Sequence, residues 1–457
     1  MYRKNAWLKY KQSDVKEVMK YADGYKAFLS TSKTERLAVR ESLKLLQAAG
    51  FKDGNNAKSL KAGDKVYFVN KNKNVCAFII GKEPFESGLR ILGAHIDSPR
   101  LDLKEHPIYE KNGFALGDTH YYGGVKKYQW TTIPLALHGV ICKKDGSTIE
   151  VNIGEDVKDP IVGITDLLIH LSADQMALPL AKAITGENLD VTLGSMPVDD
   201  KDKNPVKANV LKLLKKKYGV EEEDFISAEI EIVPAGPARD YGLDRSMIAG
   251  YGHDDRVCAY TSLKAILDVD AEKVNYTSCC ILVDKEEIGS VGATGAQSLF
   301  FENTIAQVAE LLGSKNPLFS ARKAMTNSKM LSSDVSAGFD PLYPQVSDPK
   351  NSAYLGEGIV FNKYTGARGK SGSNDSNPEY YAFIRKVVDD ANVNWQNAEL
   401  GKVDQGGGGT IAYILGNYNM NVIDAGVAVL NMHAPMEIVS KADVFEAYKA
   451  YLAFLVA

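Results

Sequence analysis

Apolar residues in this chain fall into short unbroken runs, and each run stops at a polar cluster. Ser278-Cys279-Cys280-Ile281-Leu282-Val283 has no helical period, so it reads as a buried strand. It ends at Asp284-Lys285-Glu286-Glu287-Ile288-Gly289-Ser290. Leu89-Arg90-Ile91-Leu92-Gly93-Ala94 ends in the same way at His95-Ile96-Asp97, and Lys329-Met330-Leu331 ends at Ser332-Ser333-Asp334. The apolar run 422–430 leads into Asn431-Met432-His433. Between these runs the 3.6-residue period predicts helices over 15–30, 295–312 and 379–392, and one placing Val257, Tyr260, Leu263 and Leu267 on a single face. Ser32 with Glu35 predicts a capping box for a helix that ends at Gly50. Two further strands are predicted near 66–69 and 75–80. Strands alternating with helices give an α/β fold with a mostly parallel sheet and helices on both faces. Ligands of such sheets bind beyond the carboxyl ends of the strands.

Between 100 and 244 the texture changes. Strand-like pieces at 101–108, 129–140, 148–153 and 229–233 outnumber helical patterns, although 205–218 reads as a helix. Lys143-Lys144-Asp145-Gly146 reads as a hairpin turn. The expected organisation is therefore one α/β domain formed by 1–99 and 245–457, with a strand-rich second domain, 100–244, inserted into it. A chain of 457 residues is long enough for two cores.

Composition narrows the function. The chain is 45% hydrophobic and 25% charged, as soluble globular proteins are, and its formal net charge is −4. That balance argues against a nucleic-acid partner held by bulk positive charge. The five cysteines (Cys76, Cys142, Cys258, Cys279 and Cys280) have no metal-knuckle spacing, and most sit in apolar runs. They read as reduced core residues of a cytoplasmic protein. The N-terminal stretch MYRKNAWLKYKQ lacks the apolar segment of a signal peptide, and no apolar run is long enough to span a bilayer. No membrane association is expected.

His95, Asp97, Asp254, Glu286, Glu287, Asp334 and His433 share one address, the end of a predicted strand or the start of the next helix. Taken singly, each has an ordinary structural reading, such as a helix cap or a solvated acidic loop. Two of only seven histidines among them make a common purpose the better reading. Imidazole and carboxylate donors suit a pair of borderline divalent metals, with one carboxylate bridging and another acting as a base on water.

These motifs resemble those of the aspartyl aminopeptidases, dinuclear-zinc exopeptidases. The resemblance rests on His95-Ile96-Asp97-Ser98-Pro99-Arg100, Asp284 to Ser290, Ser333-Asp334, and Asn431-Met432-His433-Ala434-Pro435-Met436-Glu437, in family order over nearly the whole chain. It implies that His95 and Asp334 bind one metal terminally, and that Glu287 and His433 bind the other. Asp254 would bridge, Glu286 would be the general base, and Asp97 would orient His95. His170 would reach a neighbouring subunit's active site, the catalytic domain would have a mixed sheet with helices on both faces, and the inserted domain would serve dimerisation. Two divalent ions per subunit are implied, zinc first, with cobalt or manganese as alternatives. Also implied are peptide substrates and a homo-oligomer, a dodecamer built from dimers. The chain departs from the family pattern at Asp255, Ala434, Met436 and the loop 356–377. A preference for an N-terminal Asp or Glu needs a cation in the first-residue pocket, and Lys363, Arg368 and Lys370 in that loop are the candidates. Two other functions compete: a co-catalytic zinc deacylase, which needs no free α-amine, and a catalytically silent peptide-binding scaffold.

Overall fold

The structure is a computed structural model that describes residues 4–199 and 201–457; the first three residues of the polar N-terminal stretch lie outside it. The chain divides into two compact units. The first comprises Met1–Asp97, Ala238–Met432 and Glu437–Ala457, and the second Ser98–Pro237 with His433–Met436.

Among the described residues the first unit is built on a nine-stranded sheet. At its centre Thr277–Val283, Leu89–His95, Lys329–Ser332 and Asn421–Gly426 run parallel. Pairing turns antiparallel on either side, at Asn74–Ile79 and Ile359–Asn362, so the sheet is mixed, as the family resemblance implies. Thr277–Val283 and Leu89–His95 are wholly buried because both faces are covered. Side chains alternate between two cores. Leu92, Ala94, Cys280 and Leu282 enter the core under helices Gln12–Thr31, His253–Asp268 and Lys441–Leu455. Leu89, Ile91, Cys279, Ile281 and Val283 enter the core under Phe300–Leu311 and Pro317–Asn327. Each fully buried leucine or isoleucine contributes roughly 1.5–3 kcal/mol.

A five-stranded sheet completes this unit, joining Arg239–Tyr241, Met247–Gly250, Glu437–Ser440, Ala428–Leu430 and Ser336–Ala337. The apolar run expected as one strand over 422–430 is in fact two. Asn421–Gly426 belongs to the large sheet and Ala428–Leu430 to the small one. Other differences are local. The cap of helix Glu35–Ala48 is Thr34, whose side chain accepts the Leu37 N–H, and not Ser32. The helix expected from 295 begins at Phe300.

The second unit is a six-stranded antiparallel sheet with helix Pro205–Tyr218. Leu135–Cys142 and Thr148–Ile153 form the hairpin expected around Lys143 to Gly146.

Candidate metal and catalytic site

The carboxyl ends of the parallel strands bring part of the candidate set together. His95 is the last residue of its strand and is buried. Its Nε2 lies 3.1 Å from Asp254 Oδ1 and 3.9 Å from Asp334 Oδ1. On the other side of the ring, Nδ1 lies 3.0 Å from the Asp97 carbonyl oxygen and 3.3 Å from Asp97 Oδ1. Asp97 therefore fixes which ring nitrogen faces the carboxylates.

Asp97 also reaches the next strand end. Its Oδ1 accepts the Glu286 N–H and its Oδ2 the Glu287 N–H, both at 3.2 Å. The two glutamates sit on a single 3-10 turn, Glu286–Ile288, entered through Lys285 at φ 67° and left through Gly289 at φ 95°. Glycine takes that second conformation without strain. Behind the turn, Asp284 accepts bonds from Lys285 N–H (2.8 Å) and Thr294 Oγ1 (2.6 Å). Burial, with the charges of Glu35 and Asp97, pushes Asp284 up to about 6.

Asp254 and Asp255 open helix His253–Asp268 with non-helical backbone angles, joined by a cis peptide bond. Glu437 Oε2 accepts the Asp254 N–H at 3.0 Å, a role its place in the sequence did not signal. Asp255 Oδ2 accepts the His95 N–H at 3.3 Å. The next residue, Arg256, is buried and donates to the Lys33 carbonyl (2.9 Å) and the Ile96 carbonyl (3.4 Å), tying helix to strand end. Asp334 follows Lys329–Ser332, and its backbone packs on Gly426, where a Cβ would stand 1.8 Å from the Asp334 carbonyl oxygen.

Two groups of potential ligands result, His95–Asp254–Glu287 and His95–Asp255–Asp334, each with donor atoms within 4.8 Å of one another. Burial pushes Asp255 and Asp334 well above the usual carboxylate range, and at Asp334 the neighbouring charges of Asp255, Glu286 and Asp254 add to the rise. At His95 burial opposes the charged form. The bonds to Asp254 and Asp97 and the charges of Asp334 and Asp255 outweigh it and hold the imidazole well above its ordinary value. Carboxylates crowded into a buried pocket repel one another unless a cation is shared among them. The donor set, one imidazole with several carboxylates, fits a divalent metal of the zinc type.

Glu286 is in neither ligand group. Asp255, a departure from the family pattern, stands in the group with Asp334. Two expected residues belong to the second unit. His433 has Nδ1 2.9 Å from the Gly124 carbonyl oxygen, and His170 is exposed on the short turn Ile169–Leu171 beside exposed Leu168, Ile169 and Leu171.

Two of the candidate cations of the 356–377 loop pair with one carboxylate. Lys363 and Lys370 both pair with Asp375, at 3.3 Å and 3.1 Å, and Lys370 Nζ also lies 3.8 Å over the Tyr364 ring. Arg368 is exposed with φ 49°. Strand Ile359–Asn362 runs antiparallel to Asn421–Gly426, with Val360 opposite Gly426 and Asn362 opposite Asp424. The chain is thus already leaving the carboxyl ends of the parallel strands when it reaches Lys363.

Comparison with known proteins matches residues 28–455 to the family Aminopeptidase I zinc metalloprotease (M18). The chain belongs to the M18 family. A probable M18 family aminopeptidase 1 of Clostridium acetobutylicum is 57% identical over 457 residues, covering 99% of this chain and 98% of its own. The crystal structure of an M18 aminopeptidase from Thermotoga maritima superimposes with a TM-score of 0.96 at 44% identity, covering 100% of this chain and 99% of its own. The yeast mApe1 dodecamer has the same fold at a TM-score of 0.77 and 20% identity, covering 95% of this chain and 96% of its own. This M18 chain is accordingly a zinc metallo-aminopeptidase, a hydrolase that removes N-terminal residues. No helix among its described residues is long and apolar enough to cross a membrane.

Proposed function

We propose that this aminopeptidase cleaves the first residue from short peptides, with Glu286 as the proton carrier. The observation that supports the reading is the pair of hydrogen bonds that the Glu286 and Glu287 N–H groups donate to the Asp97 carboxylate, which hold the turn bearing both glutamates. In the same reading His95 and Asp334 would hold one ion, Glu287 and His433 would hold a second, and Asp254 would serve both. Two divalent ions, zinc or alternatively cobalt or manganese, would supply Lewis acidity toward a water molecule and the scissile carbonyl. Glu286 takes the proton from the attacking water and returns it to the leaving amine nitrogen. Asp97 keeps the His95 ring and the Glu286 turn in register while this happens. His170 donates a hydrogen bond to the developing oxyanion of a neighbouring subunit's substrate.

The chain would be cytoplasmic, in keeping with five free cysteines. It would assemble as a homo-oligomer, a dodecamer built from dimers through the inserted second unit, as the yeast relative is a dodecamer. An acidic first residue would need a free cation. Lys363, Arg368 and Lys370 are the candidates for it.

The test is a panel of aminoacyl substrates (Asp, Glu, Leu and Lys, each free and N-acetylated) under zinc, cobalt and manganese, with Glu286→Gln alongside. Free Leu substrates should turn over, acetylated ones should not, and Glu286→Gln should lose turnover yet keep its metal. Loss of metal together with turnover would make Glu286 a ligand and overturn its role. Cleavage of acetylated substrates would replace the aminopeptidase reading with a deacylase.

A further inference from the structure

A second concavity lies at the same end of the large sheet as the metal cluster. It has a volume of about 520 Å³ and is formed by residues 68–70, Asn55 and the segment 292–307. That volume is in the range of pockets that hold small ligands, ~300–1,000 Å³. None of its thirteen lining residues is ionisable, although charged residues make up 25% of the chain. Five are carboxamides: Asn55, Asn70, Gln297, Asn303 and Gln307. Phe300 adds a partly exposed ring.

Strand pairing fixes where this cleft stands. Asn70 pairs with Asn74, Val69 with Val75, Val75 with Leu282, and Val283 with His95. Asn70 is therefore level with His95, three strand spacings away, or roughly 14 Å. An extended peptide covers that distance in about four residues. One bond is made within the cleft, and one links it to the residues that follow Glu286 and Glu287. Asn70 Nδ2 donates to the Ala293 carbonyl at 2.8 Å, and Gln297 Nε2 donates to the Gly289 carbonyl at 3.0 Å. Gln307 Nε2 donates to Asn55 Oδ1 at 3.2 Å. Each of these amides has a further donor or acceptor to offer.

We propose that this cleft is a secondary substrate site that binds the peptide backbone several residues downstream of the scissile bond. The inference rests on the aminopeptidase reading above. A backbone offers alternating N–H and C=O groups, and carboxamides match both without selecting a side-chain charge. An uncharged lining suits substrates of mixed sequence, whereas a phosphate or carboxylate ligand would call for a cation.

The experiment measures kcat/KM for one series, Leu-Ala extended with alanine from two to six residues. It uses the native enzyme and the surface variants Asn303→Ala and Gln307→Ala. The native enzyme should gain about tenfold once the chain is long enough to reach the cleft, the worth of one or two net hydrogen bonds. The variants should lose that gain, mostly through KM, and cleave Leu-Ala at the native rate. A flat length dependence in the native enzyme, or a gain that survives both variants, overturns the proposal. Failure of the native enzyme to cleave Leu-Ala at all would instead strike at the aminopeptidase reading.

Discussion

Asp97→Asn isolates what one carboxylate does for the whole site. In the native chain its two oxygens each accept one backbone N–H, from Glu286 and Glu287, both at 3.2 Å. The substitution keeps size and shape but replaces one acceptor with an NH2 donor. One of the two N–H groups then faces a donor. A buried amide left without its acceptor costs about 1–3 kcal/mol. The His95 ring is less affected, because Nδ1 also lies 3.0 Å from the Asp97 carbonyl oxygen, which the substitution leaves in place. The penalty therefore falls on the placement of Glu286 and Glu287. Expressed wholly in the reaction, it lowers kcat/KM by roughly 5- to 150-fold, at 1.4 kcal/mol per decade. Residues that support metal ligands lose a comparable ~10–100-fold when replaced. The assay pairs steady-state hydrolysis of a Leu substrate with metal retention against a graded chelator. A variant within threefold of native in both would refute the reasoning, since the two backbone bonds would then be idle.

Three other outcomes are expected. His170→Phe should lower turnover while metal content stays native, measured by kinetics and metal analysis on the same sample; unchanged turnover would remove His170 from the mechanism. Gly426→Ala places a Cβ against the Asp334 carbonyl, so metal retention should weaken and Tm should fall by the equivalent of about 1–3 kcal/mol; a native-like variant would show that the close approach is immaterial. Asp443, buried and accepting the Gly356 and Gly358 N–H groups, is pushed up to about 8 mainly by burial. Between pH ~4 and 8 only the unfolded chain releases that proton, so stability should fall as pH rises through this window at up to ~1.4 kcal/mol per unit, then level off. Asp443→Asn should flatten the slope in thermal denaturation from pH 5 to 9, and an identical slope would show that another group sets it.

The strands that carry the site were legible because buried parallel strands are apolar throughout and stop sharply at their polar ends. His95 and Glu286-Glu287 could be found at such breaks for that reason. Other features leave no such mark. Ser336–Ala337 is too short to show a period, and the run through Val427 stays apolar while the chain changes sheets. Ser32 and Thr34 both look like caps, and only the bond to Leu37 N–H tells them apart. The backing of Asp254 by Glu437 joins residues 183 apart in sequence, which no local pattern records. The pairing of Lys363 and Lys370 with Asp375 is likewise unmarked, since nothing in the loop's sequence singles out Asp375 as their partner.

The passage of the chain between its two sheets has a mechanical consequence. The chain crosses once between Ser332 and Ser336 and again at Val427, and the Ser336 N–H bonds to the Val427 carbonyl where the crossings meet. Asp334 sits in the first crossing, and Gly426 of the second lies against its backbone. A cation drawn to Asp334 would act as a rivet at this seam, so ligand loading and the stiffness of the joint between the sheets would rise and fall together.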